Sequence, residues 1–414
     1  MNFLFVHHHM PGQFGHLAAH LARDPANRVV FLTQGGGPPP EGVTSAIYRP
    51  RRTANAQTHH YLRSFEDAVL AGQGAARAGV ALSRRGFVPD IVIAHPGWGE
   101  PMYLKDVFPR AKFLNYCEFF YRAAGADVGF DPAEPVDVDL AAAVRTRNAA
   151  LLIALEAADR GLSPTRWQRS VHPAEWQDKI EVVFDGIDTD RIRPDPAASF
   201  RLPGGRLLTR DDKVVTYVAR NLEPYRGFPS FMRAVPSILA ALPTAEIVIV
   251  GGDGISYGKP PRQGGSWRDV MIEEVRPDPR RVHFLGSVPY ESYLRLLQLS
   301  AAHVYLTVPF VLSWSAMEAL AAGCVVIGSK TPPVEEILCQ GENGFLVDFF
   351  APEAIAAAVV EAVRQGDDLA LMRRAARETI LGRYDLTTCL GQQLDLLHRL
   401  AGRHPAAGLV ERAA

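Results

Sequence analysis

Cysteine is scarce in this chain, and its four cysteines never fall in a CxxC spacing. Cys117, Cys324, Cys339 and Cys389 are too scattered for a disulfide framework or a zinc site and fit a reducing compartment. Nor is charge of one sign in excess: 44 lysines and arginines stand against 45 aspartates and glutamates. That balance gives no footing for general nucleic-acid binding. No apolar run is long enough to cross a bilayer. The opening Met-Asn-Phe-Leu-Phe-Val lacks the basic start and cleavage site of a signal peptide. A cytoplasmic protein is expected, with peripheral contact at the inner face of the membrane left open. No GxGxxG is placed to open the first helix, which argues against a nicotinamide dehydrogenase.

What the chain does have is apolar material: 47% of its 414 residues are hydrophobic, enough for two or three domains. Short apolar runs recur between helical patterns. They include Phe3–Val6, Arg28–Thr33, Asp90–Ala94 and Lys112–Tyr116, then Val214–Val218, Glu246–Val250, Val282–Leu285, His303–Leu306 and Val325–Gly328. Continuous runs of this length alternating with helices indicate parallel sheets covered on both faces. Helices are expected near Leu17–Arg23, Ser64–Arg84, Ala141–Ala158 and Thr387–Leu400. Ser163-Pro164 reads as an N-cap followed by proline at the first helical position. The stretch 192–212, rich in Pro, Gly, Arg and Asp, reads as an interdomain linker, and 256–278 as a loop elaboration. The last dozen residues read as a frayed tail. The fold class is therefore α/β, with doubly wound parallel sheets that bind ligands beyond their strand carboxyl ends.

The second half carries a set of landmarks whose order and spacing are more telling than any one piece. They are Asp185-Gly-Ile-Asp188, Ala219-Arg220-Asn-Leu-Glu-Pro-Tyr-Arg226-Gly227, Gly251-Gly252-Asp-Gly254, Val282-His283-Phe-Leu-Gly286 and Met317-Glu318-Ala-Leu-Ala-Ala-Gly323. With them the chain resembles the family 4 glycosyltransferases over nearly its whole length. The resemblance implies a GT-B fold, two Rossmann-like domains facing across a cleft. Residues 1–195 would form the acceptor-side domain and 196–380 the nucleotide-sugar domain. Residues 381–414 would return a helix to the first domain and end in the tail.

It also implies roles. Arg220 and Arg226 would meet the diphosphate of a nucleotide-sugar donor, with permanent charge that replaces a metal. A helix starting near Ser313–Ser315 would add its N-terminal N–H groups. Glu318 would accept from the ribose hydroxyls. The same glutamate could instead close a capping box with Ser315. Gly252 and the backbone around His283 would lie beside the nucleotide. Phe310 stands where the family has its first glutamate. A phenyl ring cannot accept sugar hydroxyls, so Ser313, Trp314 or a less polar donor edge would have to compensate.

In the first half, Gly12 and Gly15 match the family's glycine loop, and His95 matches the histidine beside the donor sugar and phosphate. Glu118 and the loop to Asp127 would line the acceptor side. His7, His8 and His9 line a cleft more readily than they hold a metal, since adjacent side chains diverge. Arg49, Arg51 and Arg52 form a basic cluster, read as a solvated loop ahead of a lipid or anion site. The expected activity is retaining transfer of a sugar to a hydroxyl on a carbohydrate or lipid-linked acceptor. Catalysis would fall to His95, Arg220 and Arg226, with no cofactor beyond the co-substrate and no metal. A sugar-nucleotide 2-epimerase and a catalytically silent partner subunit of the same fold stay as alternatives.

Overall fold

The computed structural model describes residues 1–402. The chain divides into two compact units, Met1–Gly186 joined by Thr387 onward, and Ile187–Leu386. The division falls nine residues before the boundary read from the sequence.

Unit 1 is a seven-stranded sheet made of β1 (Asn2–Val6), β2 (Arg28–Thr33), β3 (Thr44–Ile47), β4 (Ile91–Ala94), β5 (Lys112–Tyr116), β6 (Arg160–Ser163) and β7 (Ile180–Val182). Its order is β3-β2-β1-β4-β5-β6-β7, all parallel. Alternation along β1 feeds two cores. Phe3 and Phe5 pack on one face with Phe14 and Leu17 of the first loop and α1 (Gly15–Ala22), and with Leu396 and Leu397 from α9 (Leu386–Leu400). Leu4 and Val6 pack on the other, against Ala71 and Ala75 of α2 (Arg63–Arg84). Each fully buried side chain of this size contributes roughly 1.5–3 kcal/mol.

Unit 2 begins with a hairpin, β8 (Ser199–Arg201) and β9 (Leu207–Thr209). Its six-stranded sheet contains β10 (Val214–Asn221), β11 (Glu246–Gly252), β12 (Val282–Phe284), β13 (Ala302–Tyr305), β14 (Val326–Ser329) and β15 (Phe345–Val347). The order is β12-β11-β10-β13-β14-β15, again all parallel. After β10, Gly227 takes φ +65°, and a Cβ there would sit 2.5 Å from Cβ of Leu306. Only glycine can make that turn. Helix α5 (Phe228–Ala241) follows, and its Phe231 stacks on Tyr217 with centroids 4.9 Å apart. In both sheets the strand order reverses beside the first strand, between β1 and β4 and between β10 and β13. These are the switch points where doubly wound sheets bind ligands.

Several local expectations are corrected. The stretch 192–212 is not a free linker: its hairpin buries Leu202 and Leu208 against Val248 and Val250. Ser163 ends β6, and the capping side chain is Thr165, which accepts from the N–H of Gln168 at the start of the helix Arg166–Ser170. The helix read over 141–158 is two, α3 (Val138–Arg147) and α4 (Ala149–Ala157). Between them the Asn148 amide accepts from the N–H of Tyr121 and donates to its carbonyl. Within 256–278 lies a true helix, α6 (Trp267–Val275), opened by a Ser266–Asp269 capping box. The frayed tail read over the last dozen residues lies outside the described residues.

Candidate functional site

In unit 2 the carboxyl ends of β10 and β13 and the start of α8 (Trp314–Ala321) enclose one hollow. Its lining includes Arg220, Asn221, Arg226, Tyr257, Ser313 and Ser315. The Arg220 side chain, at the end of β10, is exposed and makes no hydrogen bond or ion pair among the described residues. Arg226 is only 9% exposed. Its Nη1 lies 3.1 Å from the Tyr305 hydroxyl, 2.9 Å from that of Thr307 and 3.1 Å from the carbonyl of Val311. These partners are neutral, and among the described residues no carboxylate pairs with Arg226. A buried cation without an anion costs several kcal/mol. The hollow is thus built to receive negative charge.

The start of α8 adds to this. Ser313 is its N-cap and accepts from the N–H of Ser315 at 3.3 Å, while its own N–H donates to the Tyr305 hydroxyl at 2.9 Å. The capping-box reading of Ser315 and Glu318 is therefore corrected. The Glu318 carboxylate instead accepts from the hydroxyls of Tyr290 at 2.8 Å and Tyr293 at 2.6 Å, both on α7 (Tyr290–Leu299). Burial raises its carboxyl above the ordinary range, against the pull of those two hydrogen bonds.

Three residues that sequence reasoning passed over hold this hollow in shape. Glu223, 1% exposed, accepts from the backbone N–H groups of Ser256, Tyr257 and Gly258 at 3.2, 3.1 and 2.9 Å. Asn221 donates to the Ser256 hydroxyl and accepts from the N–H of Gly254. Tyr257, so anchored, has its ring 5.5 Å from the Arg226 guanidinium. The only hint in the sequence was a carboxylate and an amide inside Arg-Asn-Leu-Glu-Pro, where a strand ends.

Other expected residues fall elsewhere. Phe310 is 5% exposed and does not line the hollow; its ring packs on Tyr225 and Tyr257 with centroids at 5.6 and 5.0 Å. Trp314 is exposed at the first position of α8. Gly252 ends β11, where a Cβ would meet Oδ1 of Asn221 at 2.7 Å. The His283 ring is turned away from the arginine hollow. It bonds Glu246 at 2.7 Å in a separate cavity beside the hairpin loop, with Arg206 and Arg280.

In unit 1, the switch point carries His7, His8, His9 and His95. Gly12 has φ +51°, and a Cβ on it would lie 2.7 Å from Nε2 of His7, so the loop closes over a buried imidazole. Gly15 is less constrained: its φ is negative, and a Cβ on it would press on the Pro11 ring at 3.3 Å, a tight contact. Nδ1 of His95 accepts from the N–H of Gly97, leaving Nε2–H directed at Glu118, 3.3 Å away. Glu118 also accepts from Gln13 at 2.9 Å. His7 and His8 point to different partners, His9 N–H and Glu100. Among the described residues no group of three or more His, Cys, Asp or Glu is arranged to hold a metal. Of the basic cluster, Arg52 pairs with Glu66 at 2.6 Å and Arg49 donates to the carbonyl of Gln34.

Residues 25–192 match the model of "Glycosyl transferase family 4 group" and residues 205–379 that of "Glycosyl transferases group 1". A phosphatidyl-myo-inositol mannosyltransferase of Mycobacterium tuberculosis is 27% identical over 244 residues, 57% of this chain and 57% of the relative. A GDP-mannose-dependent alpha-(1-6)-phosphatidylinositol monomannoside mannosyltransferase of Mycolicibacterium smegmatis is 30% identical over 218 residues, 50% of this chain and 51% of the relative. The match thus spans little more than half the length of these curated relatives. In fold, the chain is similar to sucrose-phosphate synthase from Thermosynechococcus elongatus, with TM-score 0.71 and 16% identity over 97% of this chain and 99% of that one. Anabaena HepE, solved with UDP-glucose, gives TM-score 0.67 and 14% identity over 96% and 100%. No helix among the described residues is long and apolar enough to cross a membrane. The chain belongs to the family 4 glycosyltransferases and has their GT-B fold.

Proposed function

We propose that this protein transfers a sugar from a nucleoside-diphosphate-sugar to a hydroxyl acceptor, with retention of anomeric configuration and without a metal. The observation that carries this reading is the pair Arg220 and Arg226. They share one hollow with a helix N-terminus, and among the described residues neither has a carboxylate partner. A diphosphate supplies the missing anion. As the glycosidic bond breaks, charge grows on the leaving phosphate, and two fixed cations stabilise it where it forms. Glu318 is given the ribose hydroxyls, in exchange for one of its tyrosine partners. His95 is given a contact with the donor sugar or phosphate. The leaving phosphate takes the acceptor proton from the same face, since no enzymic nucleophile is identified. The named mannosyltransferase relatives make GDP-mannose the first donor to try, with glycan or glycolipid acceptors.

The test is transfer itself. The full chain is incubated with GDP-mannose, UDP-glucose and UDP-N-acetylglucosamine against a panel of glycoside, inositol and lipid acceptors, and the product is read by NMR. An axial donor linkage that stays axial supports the reading. An inverted product contradicts retention, and a free epimer released without acceptor points to a 2-epimerase instead.

A further inference from the structure

The switch point of unit 1 holds a second piece of chemistry, built on His8. Glu100 opens the short helical turn after the His95 loop and is fully buried. Its Oε1 accepts from the Tyr48 hydroxyl at 2.6 Å and lies 3.1 Å from Nδ1 of His8. A carboxylate has no proton to give, so Nδ1 of His8 carries one and donates it. The Gln34 amide nitrogen also lies 3.2 Å from Nδ1 and donates to the Tyr48 hydroxyl at 3.0 Å; its second N–H is a neutral donor, and the charged carboxylate outweighs it in setting the proton on Nδ1. The tautomer is thereby fixed, and the lone pair of Nε2 is left as the free acceptor of a side chain still 24% exposed. Orienting an imidazole needs only a backbone carbonyl. A buried carboxylate is a far costlier device, and it holds the ring's orientation and tautomer more firmly.

Against the His8 ring lies Trp98, 39% exposed. Its indole stacks on the His8 ring, centroids 5.2 Å apart and planes at 24°, with His7 and His95 behind it. An exposed indole stacked on a ring that carries a free acceptor nitrogen matches a cyclic ligand with an apolar C–H face and hydroxyls around its rim.

We propose that His8, oriented by the buried Glu100, and the exposed indole of Trp98 form a subsite for the acceptor, and that this acceptor is a cyclic polyol. Nε2 of His8 accepts a hydrogen bond from one ring hydroxyl, and the indole packs on the C–H face. The proposal rests on the transferase reading only in naming the polyol as acceptor. Its binding chemistry lies wholly within unit 1.

The test uses the full chain with nitrogen-15-labelled histidine. Methyl α-mannopyranoside, methyl α-glucopyranoside and myo-inositol are titrated separately while the His8 ring nitrogens and tryptophan fluorescence are followed. At least one of the three is expected to bind with millimolar affinity and shift the His8 Nε2 signal. That binding is expected to fall roughly tenfold or more in His8→Ala and in Trp98→Phe, about the loss of one hydrogen bond or one stacking contact. Glu100→Gln is expected to weaken binding and redistribute the His8 tautomers. If none of the three moves the His8 signals, or binding is unchanged in both His8→Ala and Trp98→Phe, the subsite is refuted. If only nucleotide-sugars move them, the ring bound there is the donor's, and the acceptor assignment fails. UDP and GDP are titrated into the same samples. Nucleotide binding with no polyol response sinks the subsite alone. A polyol response with no nucleotide binding sinks the transferase reading instead.

Discussion

Glu318 shows how little a residue's identity says until its partners are known. Its place in the sequence fits both a cap and a ligand-binding carboxylate. The structure removes the first reading, because Ser313 caps the helix and two tyrosine hydroxyls hold the carboxylate. Burial raises its carboxyl, so protonation begins at a higher pH than for an exposed glutamate. A protonated carboxyl accepts poorly from a ribose diol. Nucleotide affinity is therefore expected to decline as pH falls toward the Glu318 value, starting above the ordinary carboxylate range. In Glu318→Gln that step is expected to vanish, leaving a lower affinity whose residual pH dependence belongs to the phosphate. Titration calorimetry across that pH range reads both. A step that survives in Glu318→Gln would remove the glutamate from the site. Arg226 is the companion case. Its position in the motif was legible in the sequence, but the burial that makes it a demand for an anion was not.

At the scale of elements, the Ser256–Gly258 loop depends on Glu223, and α5 depends on Gly227. Glu223→Gln replaces one acceptor oxygen by an N–H₂ group facing backbone donors, at a cost of about 1–3 kcal/mol. The loop is expected to open. Faster proteolysis within 254–264 and weaker nucleotide binding would show it, and unchanged proteolysis would contradict it. Gly227→Ala must hold a left-handed backbone and push against Leu306, so a loss of roughly 2 kcal/mol or more is expected in urea unfolding.

The elements that the sequence revealed are the ones buried on both faces, because a continuous apolar run is itself the signal. β1, β2, β4, β5, β10 and β11 belong to this group. The missed strands have other compositions. β3, at the edge of its sheet, is mostly exposed; β6 opens with arginine and glycine; β15 has three residues. Helix α6 follows a Gly-Gly-Ser stretch that reads as loop, and the break at Asn148 depends on Tyr121, a contact no local pattern announces. The candidate site divides the same way. Arg220, Arg226, Ser313 and Ser315 were legible because backbone landmarks fix them. Glu223, Tyr257 and Glu100 were not, because their roles come from contacts distant in sequence. For the same reason the sequence did not show that Phe310 packs behind tyrosines or that the His283 side chain turns toward Glu246.

For the whole molecule, three imidazoles set an acid limit. Burial holds His7 and His303 down at about 3 and His172 at about 4, against an ordinary value of 6.5. Between those limits the unfolded chain binds protons that the fold refuses, so stability falls as pH drops below about 6.5. Each group adds about 1.4 kcal/mol per pH unit to that slope. Urea unfolding at about pH 7 and about pH 5 is expected to show the loss, and His303→Asn to reduce it, by removing one titrating group. An unchanged slope in that variant would place the proton uptake elsewhere. The GT-B fold itself was legible, since two series of strands and helices and their motifs recur in family order.

The central claim is that two arginines in unit 2, neither with a carboxylate partner among the described residues, form a diphosphate site. Calorimetric titration of the wild type and of Arg220→Ala with UDP, GDP and ADP tests it most directly. The expected result is binding of one nucleotide in preference to the others, weakened roughly tenfold to a hundredfold in Arg220→Ala, the worth of one charge-assisted hydrogen bond. Binding of none of the three, or equal binding by the variant, would contradict it and leave the silent-subunit alternative in its place.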